Sequence, residues 1–477
     1  MAPRIAIVGA GFGGLCLAIR LRRAGIGSFT VFEKAAGLGG TWRDNTYPGA
    51  GCDIPSHLYS YSFERYGSWT RRYPEQSEIL AYLEHCADKY DVRRNIRFNT
   101  EVVRASFDGA RWHLGTAGGD SETFDAVVMA VGQLNRPRLP DIPGMSGFRG
   151  TSFHSARWNH DHDLTGRRVA VIGSGSSAAQ LIPRVAERAG HLTVFQRTPN
   201  WVIPKPDAAF GPAARLALRL VPGLQWAYRG WLFRYVENTL YPALAGGWSA
   251  AVLERRARAH LRAQVADPEL RAKLTPGYPP GCKRVVIDSA FYPALTRPDV
   301  DVVTERIVRI VPEGVETTGG THEADTIVYA TGFRTTEFLA PIEVTGRDGR
   351  ALAGQWNGGA HAYLGISVPH FPNLFLLYGP NTNLGHNSIV FMIECQVRHI
   401  MACLRALPRH GPLEVRPEAM AAWTRQLDRA MERMVWVNGC QSWYKTPEGR
   451  VTNNWPGPAA LYRRLTARPP LPAYRRA

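Results

Sequence analysis

A glycine-rich stretch that directly follows a short apolar run occurs twice in this chain, and it constrains the fold more than any other feature. The first copy is RIAIV (residues 4–8) followed by GAGFGG (9–14), and the second is RVAVI (168–172) followed by GSGSSA (173–178). Each pattern predicts a buried strand, a tight turn and a helix whose N-terminus can bind a phosphate. The sequence therefore predicts an α/β fold with two Rossmann-like dinucleotide-binding domains.

The residue that ends the next strand differs between the two copies. Counted from the first glycine, the offset 33 − 9 = 24 falls on Glu33, and the offset 197 − 173 = 24 falls on Arg197. A carboxylate at this place accepts hydrogen bonds from ribose hydroxyls, whereas a guanidinium can bind a 2′-phosphate. Thr198 adds a hydroxyl. We predict FAD at the first loop and NADP(H) at the second, with the alternative that Arg197 is an ordinary surface arginine.

These motifs also predict the domain organisation. Two dinucleotide sites on one chain, one with an acid at the strand end and one with a base, imply a flavin enzyme in which bound NADPH reduces FAD. Residues 125–144 read as a strand and a proline-rich exit from the first domain, and residues 325–333 as the strand that returns the chain to it. We predict an FAD-binding domain of residues 1–145 and 325–477, an NADP-binding domain of 146–204 and 281–324, and a helical insert of 205–280.

Composition excludes several other classes. The net charge is +17, but only six of the 57 basic residues are lysines and the arginines are spread along the chain, so we interpret the charge as a solvated surface and expect no nucleic-acid partner. The seven cysteines form no CxxC pair, which argues against a metal site and against a flavin disulfide reductase. With no signal peptide recognisable before the first strand, we expect a reduced cytoplasmic location.

Residues 211–248 are rich in aromatic side chains but interrupted by charged residues, so no apolar run reaches the length of a spanning helix. We predict an amphipathic helical region that packs on the protein and no integral membrane segment, with membrane contact left open. Four of its aromatic residues could equally be helix-packing core or pocket wall: Trp226, Tyr228, Trp231 and Phe233.

The stretch FRGTSFHSARWN carries Phe148, Gly150, His154 and Trp158 just before the second glycine loop. This spacing resembles the fingerprint of the type I Baeyer–Villiger monooxygenases. In the related flavin-containing monooxygenases, which oxidise nitrogen and sulfur, the motif usually ends in Phe or Tyr, so Trp158 favours the Baeyer–Villiger side. Asn159 departs from the usual Pro or Asp, which leaves an outlying subgroup or an intermediate chemistry open. The resemblance implies that His154 positions the linker between domains that reorient.

The resemblance extends over nearly the whole chain. GGTWRDNTYPGAGCD (39–53) is similar to the flavin-wrapping segment of the family, FPNLFLLYGPNTNLGHNS (371–388) to its C-terminal flavin contact, and CQSWY (440–444) to the branch related to 4-hydroxyacetophenone monooxygenase. The flavin residues that the first motif and the resemblance imply together are Gly9, Gly11, Phe12, Gly14, Glu33, Gly40, Thr41, Trp42, Asp53, Tyr59 and Val103. The corresponding NADP residues are Gly173, Ser174, Gly175, Ser176, Ser177, Arg197, Thr198 and Lys283.

The resemblance implies a catalytic arginine. In the family it is the second residue of a Lys-Arg pair after a loop rich in glycine and proline, and GYPPGCKRVVI supplies Lys283 and Arg284. A fixed guanidinium can stabilise the anionic C4a-peroxyflavin and the negative charge that develops on a ketone oxygen under attack. Asp53 would hold Arg284 in place. The alternative is that Asp53 caps a helix or turn that begins at IPSH (54–57).

The predicted activity is therefore FAD-dependent, NADPH-consuming insertion of one atom of O₂ beside a ketone carbonyl, giving an ester or lactone. The alternatives are a flavin-containing N- or S-monooxygenase, an uncoupled NADPH oxidase, and a binding protein with the same fold. We expect the ketone pocket to be lined by the helical insert, residues 381–388 and Trp443, in a monomer or homodimer. The sequence does not identify the ketone.

Overall fold

The computed structural model describes residues 3–437, 439–468 and 470–477. The strands in chain order are β1 (Ile5–Val8), β2 (Phe29–Phe32), β3 (Ile96–Arg97), β4 (Val102–Phe107), β5 (Trp112–Thr116), β6 (Ser121–Phe124), β7 (Ala126–Met129), β8 (Thr151–His154), β9 (Arg168–Ile172), β10 (His191–Phe195), β11 (Val202–Ile203), β12 (Val286–Ile287), β13 (Val300–Val303), β14 (Ile307–Val311), β15 (Gly314–Thr317), β16 (Gly320–Glu323), β17 (Thr326–Tyr329), β18 (Glu343–Thr345), β19 (Leu374–Leu376), β20 (Leu413–Val415) and β21 (Tyr474–Arg476).

The α-helices in chain order are α1 (Phe12–Arg23), α2 (Thr41–Asp44), α3 (Gln76–Lys89), α4 (Ser176–Ala186), α5 (Pro212–Leu220), α6 (Leu224–Leu244), α7 (Ser249–Gln264), α8 (Pro268–Lys273), α9 (Phe291–Leu295), α10 (Leu352–Gln355), α11 (Ile389–His410), α12 (Pro417–Met431) and α13 (Ala459–Thr466). Short 3-10 turns cover Arg93–Asn95, Met145–Gly147, Ser155–Arg157, Arg347–Gly349 and Leu471–Ala473.

The first Rossmann unit is a parallel sheet in the order β19-β7-β1-β2-β3. All four residues of β1 and of β7 are buried, because helices and further sheets cover both faces, which explains their uninterrupted apolar sequences. The chain runs outward from β1 to β3 on one side and through β7 to β19 on the other. The glycine loop after β1 therefore lies at the point where the strand order reverses, the usual ligand position in such sheets.

The second Rossmann unit repeats this plan in a parallel sheet of order β13-β10-β9-β17-β8. One prediction about it is wrong. We expected residues 325–333 to supply a strand of the first domain, but β17 pairs with β9 and β8 in the second sheet. The apolar run TIVY looks the same in either sheet, and only the pairing decides the domain. The chain returns to the first unit after Tyr329, so the boundary predicted at 325 lies too early.

The smaller sheets lie beside these two. Strands β4, β5 and β6 form an antiparallel meander that β18 extends. Strands β14, β15 and β16 form a second meander, and β20 pairs with β21 near the C-terminus. Helix α11 packs against α1 and α13 and, with twelve buried residues, contributes much of the core of the first unit.

The predicted helical insert is present as α5 to α8. Its two ends meet where β11 pairs with β12, so the insert leaves and re-enters the second unit at one place. Among the described residues, no helix combines the length and the apolar character needed to cross a bilayer. Helix α5 contacts α6 but has no buried residue, so it packs on the protein only loosely.

A disulfide joins Cys282 to Cys440, which the sequence did not indicate because 158 residues separate them. Neither cysteine lines the cleft between the two Rossmann units, so the pair does not face the predicted flavin site. The other five cysteines are free and buried. Disulfides are more common in oxidising compartments, and the cytoplasmic location stays a prediction.

Candidate functional site

One large cleft lies between the two Rossmann units and the C-terminal part of the first. Of the predicted residues, those whose atoms line it are Gly9, Gly11, Phe12, Glu33, Gly40, Thr41, Trp42, Asp53, Tyr59, Ser176, Ser177, Arg284 and Trp443. These residues come from eight separate stretches of the sequence. The fold thus brings together most of the predicted flavin site, the edge of the predicted NADP site and the predicted catalytic pair.

The glycines of the first loop allow its backbone to lie close to Ala130 and to helix α1. Gly9 has φ of +104°, and a Cβ there would stand 2.6 Å from the carbonyl oxygen of Ala130. A Cβ on Gly14 would stand 1.9 Å from the carbonyl oxygen of Gly9. The two glycines therefore set how closely α1 approaches the loop. Helix α1 begins at Phe12 with its free N–H groups at the cleft, which suits the pyrophosphate of FAD.

Glu33 is buried at the end of β2 and lines the cleft. Its carboxylate accepts hydrogen bonds from the backbone N–H groups of Ala10 at 2.9 Å and Ala35 at 3.0 Å. Arg43, which the sequence analysis did not single out, forms an ion pair with Glu33 at 3.2 Å and also lines the cleft. Glu33 is thus fixed in position beside the glycine loop, and Arg43 supplies a positive charge there.

Three aromatic residues form one wall of the predicted flavin site. The indole N–H of Trp42 donates to the hydroxyl of Tyr59 at 3.1 Å, and the ring of Tyr59 packs edge-on against Phe12 at 5.1 Å. Val103 differs from its prediction. It is exposed and does not line the cleft, whereas Val102 does, because successive side chains of β4 point to opposite sides.

The second glycine loop leads from β9 into α4. Gly173 has φ of +116°, and a Cβ there would stand 2.5 Å from the carbonyl oxygen of Ala330. Gly175 precedes the first residue of α4, Ser176. The hydroxyl of Ser174 donates to the carbonyl of Thr198 at 3.2 Å, which holds the loop against the end of β10. This is the same close turn as in the first unit.

Two predicted anion-binding residues lie near each other beside this loop. Burial lowers the pKa of Lys283, and the positive charge of Arg197 lowers it further. Among the described residues, neither side chain has an ion-pair partner. Two neighbouring cations without a carboxylate partner attract a doubly charged anion, and the prediction that they bind the 2′-phosphate stays a prediction.

Arg284 and Asp53 form the predicted pair across the cleft. The guanidinium donates through Nε at 2.9 Å and through Nη2 at 2.7 Å to both carboxylate oxygens. Burial acts to lower the pKa of Arg284, but the Asp53 carboxylate outweighs it and the pKa lies above its ordinary value. Arg284 is therefore a permanent cation with a fixed orientation at the centre of the cleft.

Polar residues near this pair come from the segments 371–388 and 440–444, which the resemblance had named, and from Asn454, which no motif indicated. Burial raises the pKa of Tyr444 to about 12 although Arg284 opposes the shift, so its phenol is protonated at neutral pH. The hydroxyl of Tyr378, which lines the cleft, donates to Asn383 at 2.7 Å, and Asn383 donates to Asn454 at 2.6 Å. Asn383 and Asn454 are 71 residues apart in sequence, and no local pattern indicates that they meet.

The fingerprint residues lie behind the cleft. Phe148 packs on the core of the second unit, and a Cβ on Gly150 would stand 2.4 Å from the carbonyl oxygen of Asp325. The ring of Trp158 packs edge-on against Phe153 at 5.1 Å. His154 is buried, and burial lowers its pKa. Its ring centre lies 5.9 Å from that of Phe333. Phe333 lines the cleft and lies where the chain returns to the first unit. The motif thus joins the two units, and none of its four residues lines the cleft.

The helical insert does not line the cleft within the part of the chain that the structure describes, contrary to expectation. It supports the cleft from outside. Asn387, a cleft residue, donates to Glu237 of α6 at 2.7 Å, and His386 lies 3.3 Å from the same carboxylate. Although burial opposes it, the neighbouring His386 and the hydrogen bonds from Asn387 and the Ala460 N–H hold the pKa of Glu237 below its ordinary value. Of the predicted ketone-pocket segments, residues 381–388 and Trp443 do reach the cleft.

A further contact couples the two glycine loops. The hydroxyl of Tyr47, on the flavin-wrapping segment, donates to Gln180 of α4 at 2.8 Å, and Gln180 donates to the carbonyl of Gly51 at 2.9 Å. The predicted NADP helix is thereby attached to the segment that carries Asp53.

The family model described as Flavin-binding monooxygenase-like matches residues 2–216. A protein of Streptomyces coelicolor named Baeyer-Villiger monooxygenase is 44% identical to this chain, covering 99% of it and 92% of the relative. A protein of Pseudomonas aeruginosa with the same name is 43% identical, covering 97% and 89% respectively.

Solved structures give the same result. A structure described as oxidized steroid monooxygenase bound to NADP is similar with a TM-score of 0.86 at 34% identity, covering 98% of this chain and 97% of the other. The closed crystal structure of cyclohexanone monooxygenase matches over the same shares with a TM-score of 0.87 at 30% identity.

Proposed function

The chain belongs to the Baeyer–Villiger monooxygenases, and from this premise we propose that Arg284, held by Asp53, is the catalytic cation of the oxygen insertion. The enzyme uses FAD and NADPH to insert one oxygen atom next to a ketone carbonyl. The flavin supplies the oxygen chemistry when it is bound. The observation that carries the proposal is the bidentate Arg284–Asp53 pair at the centre of the cleft.

Arg284 has a specific electrostatic task. When a nucleophilic oxygen adds to a ketone, negative charge develops on the carbonyl oxygen, and a fixed donor in a partly buried site stabilises that charge without reorganising. Lysine could lose its proton in such a site, whereas arginine stays charged. Asp53 accepts hydrogen bonds from Nε and Nη2 of the guanidinium. The remaining nitrogen, Nη1, donates to the carbonyl of Leu384 at 3.4 Å.

We propose that the other predicted residues bind the cofactors. The first glycine loop, Glu33 and the aromatic wall of Trp42 and Tyr59 would hold FAD, and Arg43 would offset pyrophosphate charge. The second loop with Arg197 and Lys283 would hold NADPH. The tight glycine positions of both loops fit these cofactors, because a side chain there would fill the turn. The oligomeric state stays a prediction.

An Arg197→Ala variant is expected to raise the KM for NADPH about 10- to 100-fold, because charge-assisted hydrogen bonds to the 2′-phosphate are lost. The KM for NADH, which has no 2′-phosphate, should change less than about threefold. Steady-state NADPH and NADH oxidation in the presence of ketone gives both constants. Arg188→Ala, at another exposed arginine of the same domain, is the matched control. Equal changes in the KM for NADPH and for NADH would show that Arg197 does not bind the 2′-phosphate.

The proposed activity is tested by product identification. The FAD-loaded enzyme is given NADPH, air and a panel of aryl, cyclic and linear ketones together with a thioether and a tertiary amine. We expect esters or lactones, identified by mass spectrometry. Sulfoxide or N-oxide without any ester would place the chemistry with heteroatom oxidation, and hydrogen peroxide alone would identify an uncoupled oxidase.

A further inference from the structure

The exposed apolar side chains of this protein are concentrated on the helical insert. Of the thirteen large apolar residues that are well exposed in the described part of the chain, eight lie between residues 216 and 252. We name these eight the insert face; they are Leu216, Leu220, Val221, Trp226, Trp231, Tyr235, Trp248 and Val252. Their exposed fractions range from 44% to 70%. Scattered apolar residues need no explanation, but their concentration in one segment of the chain indicates an interaction surface.

Helix α5 lies on the protein without burying a residue. Leu216 and Leu220 are four positions apart and therefore share one side of the helix. A nine-residue helix is marginal in water unless an apolar side is covered. The helix thus has the form of an element that is completed by contact with something outside the chain.

The insert face continues onto α6, which packs against both α5 and α7. Tyr235 stacks on Trp231 with ring centres 5.6 Å apart, and Trp231 stacks on Tyr228 at 6.1 Å. The rings support one another in an ordered arrangement although Trp231 is 51% exposed. Tryptophan and tyrosine prefer the headgroup level of a bilayer, where an apolar ring and a polar N–H or O–H are both accommodated.

The exposed charged residues between 208 and 253 are all positive, and the next acid, Glu254, is paired with Arg258. Between residues 208 and 253 the sequence has one acidic residue, Glu237, which is buried and paired. Arg215, Arg219 and Arg234 are exposed, and in the described residues none of them has an ion-pair partner. Uncompensated arginines between exposed apolar residues attract an anionic surface and allow the aliphatic stems to lie on lipid.

These features select one occupant. A second copy of the chain would place arginines against arginines, since the face carries no exposed acid to pair with them. We propose that the insert face docks the enzyme on the surface of an anionic membrane, with α5 and α6 lying in the interface and no segment crossing it. This surface goes beyond the oxygen insertion and does not depend on the role of Arg284.

The test is vesicle sedimentation of the FAD-loaded enzyme. Vesicles of phosphatidylcholine with about one third phosphatidylglycerol are compared with vesicles of phosphatidylcholine alone, at low and at high salt. We expect the enzyme to bind the anionic vesicles, to bind them less at high salt because charges are screened, and to show a blue shift of tryptophan fluorescence as indoles leave water.

Two triple variants separate the contributions. Arg215→Gln, Arg219→Gln and Arg234→Gln together should weaken vesicle binding about 100-fold. Leu220→Ser, Trp226→Ser and Trp231→Ser together should weaken it about 10-fold or more. The matched controls carry three changes of the same kind elsewhere. The charge control is Arg425→Gln, Arg429→Gln and Arg464→Gln, and the apolar control is Leu139→Ser, Val308→Ser and Leu471→Ser.

Retained flavin absorbance shows that each variant is folded. Loss of binding in both insert variants, with both controls unchanged, supports the proposal. Three results would overturn it: no binding to anionic vesicles, equal weakening in the charge variant and its control, or a dimer in solution that the apolar variant abolishes. The last result would show that a second copy covers the insert face.

Discussion

An Arg284→Ala variant is expected to form ester about 100- to 1000-fold more slowly than the natural enzyme at the same flavin content. The substitution removes the guanidinium that Asp53 orients in the cleft. Without it, the charge that develops on the ketone oxygen is unbalanced, and the half-buried carboxylate of Asp53 adds an unfavourable charge. Product formation per bound flavin, measured by gas chromatography, gives the ratio directly.

The reason for the effect is tested by a conservative variant. Arg284→Lys keeps a positive charge but loses the fork that pairs with both carboxylate oxygens, so we expect activity between the alanine variant and the natural enzyme. Arg297→Ala, which removes an arginine from a surface ion pair with Asp299, is the control for losing such a pair and should leave the rate unchanged. Ester formation at the natural rate in Arg284→Ala would remove this residue from the chemistry.

A Gly14→Ala variant is expected to lose FAD, with affinity at least about 100-fold lower, because overpacking of this kind costs about 1 to 3 kcal/mol or more. The new Cβ would stand 1.9 Å from the carbonyl oxygen of Gly9, so α1 must move away from the loop whose geometry the cofactor requires. The flavin-to-protein absorbance ratio after desalting, and an FAD titration of the apoprotein, measure the loss.

Gly354→Ala is the matched control. This glycine lies in helix α10 and does not have a positive φ, and apart from its chain neighbours and its own helix backbone no described atom lies within 4 Å of where its Cβ would be. FAD binding should be unchanged. If Gly14→Ala kept its flavin with unchanged affinity, the close packing of α1 on the first loop would not be what holds the cofactor. The second loop offers an internal comparison, since Ala178 occupies the equivalent third position there.

The sequence predicts the parts of this protein that local patterns encode. Glycines before a helix, an acid or a base at the strand end, and the Lys-Arg pair each occupy a few consecutive positions, and the structure places Glu33 and Arg284 in the cleft as predicted. The α/β fold with two parallel sheets is confirmed for the same reason, because uninterrupted apolar runs encode buried strands.

What the sequence did not predict depends on contacts between distant segments. Cys282 meets Cys440 across 158 residues, and Glu237 of the insert supports Asn387 behind the cleft. The strand Thr326–Tyr329 reads identically for either sheet until its neighbours are known. The side of β4 that faces the cleft follows from its register, which is why Val102 and not Val103 lines it. None of these pairings leaves a local pattern.

The most direct test of the central claim is the fate of the oxygen atoms. The FAD-loaded enzyme is supplied with NADPH, a ketone and isotopically labelled oxygen gas (¹⁸O₂), and the product is analysed by mass spectrometry. We expect an ester or lactone that carries one labelled atom, in the ether position of the new bond, with the second atom in water. Unlabelled product, or labelled hydrogen peroxide with no ester from any ketone of the panel, would contradict it.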